Sequence, residues 1–269
     1  MKISRHQVAV ITGAGGGLGR SLAIQLAEKG CHLALVDIDP AALEVTRNYC
    51  RFDDINVSLH QVDVGNLDAM NHLYSQVMAT HGKVNLLINN AGITLQKSFS
   101  SHSLDDWRRV MSINLWGPLY GCKLFLEALK KEPQAHIVNL SSMAAFIGLP
   151  SQSSYCVTKS GVQALSECLY AELKSEGVGV TSVHPGAIKT DMIQATLADS
   201  DDQQKAQKNY ELAQKIGLTA DKAAQLILLA VEKNKARVRV GKDSVILDLL
   251  RRLMPVILQK GMARVARTV

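Results

Sequence analysis

The sequence predicts an α/β fold in which a doubly wound parallel sheet carries helices on both faces. Short, β-rich apolar runs alternate with longer stretches of helical periodicity, and this alternation is typical of βαβ units. Several of the short runs are apolar throughout, as expected for strands that helices cover on both sides. Neither an internal repeat nor a Pro/Ser-rich linker interrupts the pattern, so the 269 residues are expected to form a single domain.

The predicted elements follow one another in a regular order. Strands are expected at residues 8–11, 32–36, 57–62, 84–89, 136–140, 178–184 and 237–240, because these runs are short and rich in β-formers. Helices are expected at residues 18–29, 40–50, 67–81, 107–131, 153–175 and 218–232. Gly30, Gly82 and Gly177 lie where three of these helices should stop.

Two segments depart from this rhythm. Residues 190–217 are polar and helical in pattern, which predicts either a lid or an exposed loop. Residues 244–258 form an apolar helix interrupted by Pro255. We therefore expect a dinucleotide-binding and catalytic unit over 1–242, with its lid at about 190–217, and a basic amphipathic helix over 243–269.

Composition excludes several classes of protein. The chain is 47% hydrophobic and 20% charged, which is ordinary for a soluble globular protein. Five scattered cysteines without a Cys-x-x-Cys pair predict reduced thiols, a cytoplasmic location and no metal site. The net charge of +6 arises from residues 233–269, which hold ten basic and two acidic residues, whereas residues 1–232 hold 20 basic and 22 acidic ones. This concentration argues against a nucleic-acid-binding domain, which spreads its charge over a folded face.

A glycine-rich segment follows the first predicted strand and precedes the first helix. It reads TGAGGGLG over residues 12–19. Glycines let the backbone approach a pyrophosphate, and the next helix N-terminus supplies free N–H groups and a positive dipole end. The segment predicts a Rossmann-like nucleotide site, the alternative being a turn that only needs flexible residues. It departs from Gly-x-Gly-x-x-Gly at Leu18 and has no Walker lysine, which disfavours an NTPase.

Asp37 ends the second strand, 18 residues after Gly19. An acid at this point can accept hydrogen bonds from the adenosine ribose hydroxyls and would repel a 2′-phosphate. The pattern favours NAD over NADP, although Arg20 lies close enough in sequence to weaken that preference. A solvated acid at a strand end is the alternative interpretation.

Three residues further along suggest proton chemistry. Tyr155 and Lys159 share one face of a predicted helix, where an ammonium favours the phenolate and lowers the pKa of the tyrosine. Such a tyrosine can take a proton from an alcohol, the alternative being an ordinary exposed helix pair. Ser142 follows the strand 136–140 and can donate a hydrogen bond to a substrate oxygen that gains charge. Ser141 competes with it for this role, and a turn-capping serine is the alternative.

Five motifs in register resemble the short-chain dehydrogenase/reductase family in its shorter, single-domain form. They span most of the chain: Thr12-Gly13-x-x-x-Gly17-x-Gly19, Asn89-Asn90-Ala91-Gly92, Ser142 placed 13 residues before Tyr155, Tyr155-x-x-x-Lys159, and Pro185-Gly186, with Asn114 in a predicted helix. The resemblance implies an NAD-dependent oxidoreductase that exchanges hydride between a secondary alcohol or ketone and nicotinamide, NADP being possible. It also implies a homodimer or homotetramer formed through helices 107–131 and 153–175.

The resemblance implies a role for each matching residue. Tyr155 would be the general acid/base, Lys159 would hold the nicotinamide ribose, and Ser142 would orient the substrate oxygen. Asn114 would position a water that links Lys159 to solvent. Asp63 would hydrogen-bond the adenine, Asn90 would pack beside the adenosine, and Ile188 and Thr190 would touch the nicotinamide amide. The other expected cofactor contacts are Gly13, Gly17, Leu18, Gly19, Asp37, Val64, Gly92, Pro185 and Gly186. Asp63 and Asn90 alternatively brace the sheet.

The residues expected around the nicotinamide are apolar. Met143 and Leu149 flank a run of apolar side chains, and Met192, Ile193 and Leu197 continue it. This pattern predicts a lipophilic substrate such as a steroid, retinoid or fatty alcohol, unless these residues are simply core and lid packing.

The basic C-terminal helix allows two interpretations. It is either an interfacial helix drawn to anionic lipid or a helix packed on the sheet, the substrate pocket or a partner subunit, which we favour because one folded neighbour buries such a face.

Two other function classes compete with an enzyme of this kind. A non-catalytic nicotinamide sensor or scaffold would be expected to lose Ser142, Tyr155, Lys159 or Asn114 first, and all four are present. A methyltransferase also uses a glycine turn and an acid, but it has no use for the Ser–Tyr–Lys set.

Overall fold

The computed structural model describes residues 1–192 and 194–268, and a parallel sheet lies at its centre. Its strands are β1 (Val8–Thr12), β2 (His32–Asp37), β3 (Val57–Gln61), β4 (Leu86–Asn89), β5 (Ala135–Leu140) and β6 (Val178–Pro185), with β7 (Ile188–Lys189) and β8 (Leu218–Thr219) forming a separate pair and β9 (Arg237–Val240) closing the main sheet. The order across the main sheet is β3-β2-β1-β4-β5-β6-β9, and every neighbouring pair is parallel. The predicted fold class is confirmed.

Ten α-helices occur in the described residues: α1 (Gly17–Glu28), α2 (Pro40–Tyr49), α3 (Leu67–His81), α4 (Leu104–Met111), α5 (Gly117–Lys130), α6 (Ser153–Leu173), α7 (Gln203–Ile216), α8 (Ala220–Glu232), α9 (Lys242–Leu253) and α10 (Pro255–Thr268). The ends of several helices are determined by the residues that cap them. The Asp39 carboxylate caps α2 by accepting from two backbone N–H groups, and Gly82 ends α3 in the left-handed conformation.

The expectation of one continuous helix over 107–131 is wrong. A π-helical turn at Ser112–Trp116 separates α4 from α5. Pro118 has no N–H to donate to the carbonyl four residues earlier, so regular α-helical bonding cannot run through this point. The candidate site residue Asn114 lies in this turn.

Hydrophobic cores lie on both faces of the sheet. On one face α1 packs against β1 and β2, and α8 packs against β6 and β9, through residues such as Leu22 and Ile227. On the other face α3 and α5 contribute Leu73, Phe125 and Leu129. The winding direction reverses between β1 and β4, so the loops after these strands diverge and open a crevice at the carboxyl edge.

The last third of the chain adds a cover and a helix pair. β7 pairs with β8 in parallel, and α7 lies between them in sequence above the crevice. α9 packs against β9, and α10 follows α9 after a break at Met254. Among the described residues, no helix combines the length and apolar character that crossing a membrane requires.

Candidate active site

The glycine turn brings backbone from two strands into close approach. A Cβ on Gly13 would lie 2.9 Å from the Asn90 side-chain nitrogen, and one on Gly19 would collide with the carbonyl of Gly13. Gly16 is the N-cap of α1, and no side chain caps the helix there. The first N–H groups of α1 therefore face the crevice without a side-chain acceptor, which suits an anion such as a pyrophosphate.

Asp37 closes one side of this turn. Its carboxylate accepts from the backbone N–H of Gly15 at 2.8 Å and from that of Asp39 at 3.2 Å. Arg20 is bound elsewhere, because its guanidinium donates to the Gly15 carbonyl and to the Thr46 hydroxyl. The Arg20 side chain therefore stabilises the glycine turn.

Asn90 ties the loop after β4 to the loop after β1. Its side-chain amide donates to the carbonyls of Thr12 and Gly13 at 2.9 and 3.1 Å. The Thr12 hydroxyl in turn accepts from the backbone N–H groups of Asn90 and Ala91, both at 3.0 Å. This hydrogen-bond network fixes the two sides of the crevice, and Thr12, the first residue of the glycine motif, acts in it as a bracing residue.

The two adjacent serines after β5 have different partners. The Ser141 hydroxyl donates to the carbonyl of Lys159 at 2.7 Å, which binds it to α6. The Ser142 hydroxyl accepts from the N–H of Ala144 at 3.1 Å and lies beside the Tyr155 phenol. His184, buried against Phe146, contacts the Ser142 carbonyl at 3.2 Å through its ring Nδ1 and supports this turn. The arrangement leaves Ser142 as the serine that faces Tyr155.

Burial dominates the acid–base properties of Tyr155 and Lys159. Desolvation raises the pKa of Tyr155, and the hydrogen bond with Ser142 acts in the opposite direction. Desolvation lowers the pKa of Lys159 to about 8. The Lys159 ammonium donates to the Leu140 carbonyl at 2.8 Å and lies 5.6 Å from the centre of the Tyr155 ring. The expected lowering of the Tyr155 pKa is therefore wrong in direction for the protein without cofactor, because burial of the phenol raises that pKa.

Asn114 is fully buried and forms hydrogen bonds with the loop after β4. Its side chain accepts from the N–H of Ile93 and donates to the carbonyl of the same residue, both at 2.8 Å. A Cβ on Gly92 would lie 3.2 Å from the Asn114 oxygen and 3.3 Å from the Lys159 nitrogen. Gly92 thus allows Asn114 and Lys159 to approach each other.

These elements enclose a cleft of about 710 Å³ at the carboxyl edge. Fifteen of the predicted site residues line it: Gly13, Gly17, Leu18, Asp37, Asn90, Gly92, Ser142, Met143, Leu149, Tyr155, Lys159, Pro185, Gly186, Ile188 and Thr190. The other four lie just outside this lining. Gly19 and Asn114 are buried behind it, Val64 packs in the core, and exposed Asp63 accepts from the N–H of Gly65 at the end of β3.

The segment predicted as a lid or loop contributes one wall of the cleft. Met192, Asn209, Leu212 and Ile216 line it, and the Asn209 amide donates to the Gln96 side chain at 2.8 Å. Leu197 lies in a short 3-10 helix, Gln194–Asp199, whereas Ile193 lies outside the described residues.

Asp243 is a cleft residue that carried no sequence signal. Its carboxylate accepts from the N–H of Ala187 at 2.7 Å and occupies the space where a Cβ on Gly186 would be. It lies in the first turn of α9, far in sequence from every motif, so only the fold brings it to the Pro185-Gly186 loop.

Comparisons with known proteins identify the family and agree with the fold. A family model described as short chain dehydrogenase matches residues 7–201. The chain is 36% identical over 252 residues to the putative oxidoreductase SadH of Mycobacterium tuberculosis, covering 92% of this chain and 91% of that protein. It is 33% identical over 252 residues to the probable oxidoreductase EphD of Mycobacterium bovis, covering 91% of this chain and 43% of EphD.

Solved structures show the same architecture. A short chain dehydrogenase/reductase from Burkholderia phymatum, crystallised in complex with NAD, superposes with a TM-score of 0.88 at 29% identity and covers 96% of this chain and 97% of its own. Levodione reductase superposes with a TM-score of 0.80 at 26% identity and covers 90% and 99%.

Proposed function

Because the chain belongs to the short-chain dehydrogenase family, we propose that this oxidoreductase exchanges hydride between a secondary alcohol or ketone and a nicotinamide cofactor. One observation carries the proposal: Ser142, Tyr155 and Lys159 line the same cleft as the uncapped N-terminus of α1. A proton-handling set and an anion-binding turn in one crevice match a reaction that needs both a dinucleotide and an acid/base.

The residues at the glycine turn fit a dinucleotide. Gly13, Gly17 and Leu18 line the cleft, and a side chain on Gly13 would fill space between the two loops. The N–H groups at the start of α1 would hold the pyrophosphate, and Ile188 and Thr190 would contact the nicotinamide end. A bound nicotinamide supplies the hydride acceptor for alcohol oxidation and the donor for ketone reduction.

Tyr155 handles the proton in this proposal. Its buried phenol is neutral at neutral pH and donates a proton to the substrate oxygen during reduction, and its phenolate receives one during oxidation. The Ser142 hydroxyl donates a hydrogen bond to the same substrate oxygen. The Lys159 ammonium stabilises the phenolate, since a charge 5.6 Å from the ring acts strongly in a desolvated site.

NAD is the proposed cofactor. The Asp37 carboxylate lines the cleft beside the turn and would bind ribose hydroxyls while repelling a 2′-phosphate. The guanidinium of Arg20, the cation of the turn that would attract that phosphate, already donates to Gly15 and Thr46. These two contacts support NAD over NADP.

A lipophilic alcohol or ketone is the proposed substrate. Met143, Leu149, Met192, Leu212 and Ile216 place apolar surface along the cleft that Tyr155 also lines. Burial of such surface favours hydrocarbon substrates by roughly 25 cal/mol per Å². Small polyols would leave this wall without a partner.

We also propose a homodimer or homotetramer in the cytoplasm. The exposed apolar side chains of Trp116 and Val157, on the turn before α5 and on α6, support an interface through these helices. The free thiols of the five cysteines support a reducing compartment.

Replacement of Tyr155 by Phe tests the proposal. We expect the kcat for secondary alcohols with NAD to fall by about 10² to 10⁴-fold, since that is the usual contribution of a general acid/base. NAD binding, followed by nicotinamide fluorescence, should remain. Tyr170→Phe on the same helix is the matched control and should keep the wild-type rate. A Tyr155→Phe variant with undiminished turnover would exclude this role, and wild-type NAD binding without turnover over a broad panel would favour the sensor.

A further inference from the structure

The outer face of α9 and α10 exposes a run of large apolar side chains. Leu253 is 76% exposed and Ile257 is 64% exposed. We call this surface the tail patch and define it by Ile246, Leu249, Leu253, Met254, Val256 and Ile257. Six such side chains within twelve residues form an apolar surface of the kind that marks an interaction site.

The inner face of α9 fixes the direction in which the tail patch points. The Ser244 hydroxyl donates to the carbonyl of His184 at 2.7 Å. The buried Asp248 carboxylate accepts from Arg237 and Arg239 at 2.9 Å and from Arg252 at 3.1 Å. Because this polar face is bound to the sheet edge, α9 cannot turn its apolar side inward without breaking these bonds.

The charges around the tail patch are basic. No acidic residue follows Asp248 in the sequence, whereas five Lys or Arg residues do. Arg251 and Lys260 are exposed next to the patch, and the carboxylate of Asp248 is already bound to three arginines. The surface thus combines apolar side chains with the exposed positive charges of Arg251 and Lys260.

A second copy of the chain is a poor occupant for this surface. A twofold contact uses the same patch on both subunits, so it would bring the basic side chains of each copy against those of the other. An anionic bilayer interface matches both features, because it accepts apolar side chains in its acyl boundary and attracts Lys and Arg at its headgroups.

We propose that the tail patch docks the protein on the surface of an anionic lipid bilayer. α9 and α10 lie in the interface with the patch in the acyl boundary and with Arg251 and Lys260 at the headgroups. The inner face of α9 packs on the sheet edge, as favoured from the sequence, and this inference concerns the apolar outer face, for which the lipid interpretation is now preferred. Docking is independent of the proposed reaction, since none of its residues touches the Ser–Tyr–Lys set.

The tail patch lies beside a groove, and docking would therefore affect how a lipophilic substrate reaches the protein. A groove of about 670 Å³ runs between α10 and the loop 144–150, with Leu258, Met262 and Val157 among its walls. Leu149 borders this groove and also lines the catalytic cleft. If the proposed function holds, a lipophilic alcohol dissolved in the bilayer meets this groove beside the docked face, next to the catalytic cleft.

Vesicle flotation of the full chain tests the docking. The vesicles are phosphatidylcholine alone or phosphatidylcholine with 30 mol% phosphatidylglycerol, about the charge density of an anionic membrane surface. We expect flotation with the anionic vesicles and little with the neutral ones. Leu253→Glu/Ile257→Glu should abolish flotation, and Arg251→Gln/Lys260→Gln should weaken the partition coefficient by about 25-fold, at about fivefold for each lost charge.

Matched controls separate docking from folding and from charge alone. Leu104→Glu removes an apolar side chain that is 72% exposed, and Lys123→Gln/Lys174→Gln removes two exposed charges elsewhere. Both controls should float like the wild type. Point variants are used because truncation before α9 would also remove Ser244 and Asp248.

Three outcomes overturn the proposal. The first is absence of wild-type flotation with anionic vesicles. The second is equal flotation of the Leu253→Glu/Ile257→Glu variant. The third is a variant that changes the oligomeric state in sedimentation while flotation stays at the wild-type level, which would assign the patch to a subunit interface. Turnover of a water-soluble alcohol should stay unchanged in all variants, so a failure of docking remains distinguishable from a failure of the proposed reaction.

Discussion

The carboxyl edge of the sheet and the C-terminal helix pair are built in different ways. At the carboxyl edge, polar side chains such as Asn90, Asn114 and Ser141 bind backbone groups of neighbouring loops. In the helix pair, one buried carboxylate, Asp248, holds α9 while the opposite face exposes apolar side chains. The first region is held together by hydrogen bonds between its own loops, whereas the second exposes large apolar side chains on its outer face. A network of hydrogen bonds between loops thus indicates a preformed site, and a group of exposed apolar side chains without a neighbour indicates a surface for docking.

After Tyr155→Phe, the adjacent serines give the next largest effect expected at the carboxyl edge. Ser142→Ala should lower kcat by about 10²-fold or more, the usual loss when one donor to a charged substrate oxygen is removed. Ser141→Ala should keep kcat within a few-fold and lower the free energy of unfolding by about 1 kcal/mol, since it removes one buried hydrogen bond. Steady-state kinetics and urea unfolding measure the two effects. Equal kinetic losses in both variants would contradict the division of roles between these serines.

The carboxyl edge was also the region most open to prediction from sequence. The strand order places the ends of β1, β4, β5 and β6 side by side, so motifs that follow these strands must meet at one edge. Asp243 could not be predicted, because its role depends on the packing of α9 against β9 and Gly186. The break at Asn114 was missed because periodicity continues through it, and the bond lost at Pro118 is a single backbone contact.

The tail patch shows a different limit of prediction. The apolar periodicity of residues 244–258 predicts a helix with one buried face, but α9 buries its polar anchor residues Ser244 and Asp248 and exposes Ile246, Leu249 and Leu253. A hydrophobic pattern predicts that a helix has an apolar face, but it does not specify which part of the protein or which partner covers that face. That choice depends on the ion pairs that hold Asp248, which are tertiary contacts.

Asp248→Asn breaks the anchor of the second region without touching the first. We expect the free energy of unfolding to fall by about 2–3 kcal/mol, somewhat below the range for a fully buried ion pair because Arg239 and Arg252 are partly solvated. Asp105→Asn, in a surface pair with Arg108, is the matched control and should change it by less than about 0.5 kcal/mol. Urea unfolding with turnover in parallel is the measurement. A strong loss of kcat at full stability would show that the two regions are coupled.

Buried histidines set the acid sensitivity of the sheet that supports both regions. Burial lowers the pKa of His136 to about 3 and that of His184 to about 4. An unfolded histidine takes up its proton near pH 6.5, so the stability held above that pH should be lost as the pH falls toward 4, by about 1.4 kcal/mol per pH unit for each histidine. Urea unfolding at several pH values tests this slope. His136→Gln should reduce the slope, and the same substitution at exposed His72 should keep it.

Asp37→Ser is expected to have the smallest effect of these substitutions, and it tests the role of a single carboxylate in the cleft. It removes the charge that would repel a 2′-phosphate, so the ratio of kcat/KM for NADP to that for NAD should rise about tenfold, equivalent to about 1.4 kcal/mol. Asp39→Ser is the matched control two residues away: Asp39 caps α2 by accepting from Ala41 and Ala42. Because serine is also a helix cap, this control should keep both the stability and the cofactor ratio. An unchanged ratio in Asp37→Ser would mean that the bond with Gly15 is structural, and that Asp37 belongs with Asn90 among the bracing residues of the turn.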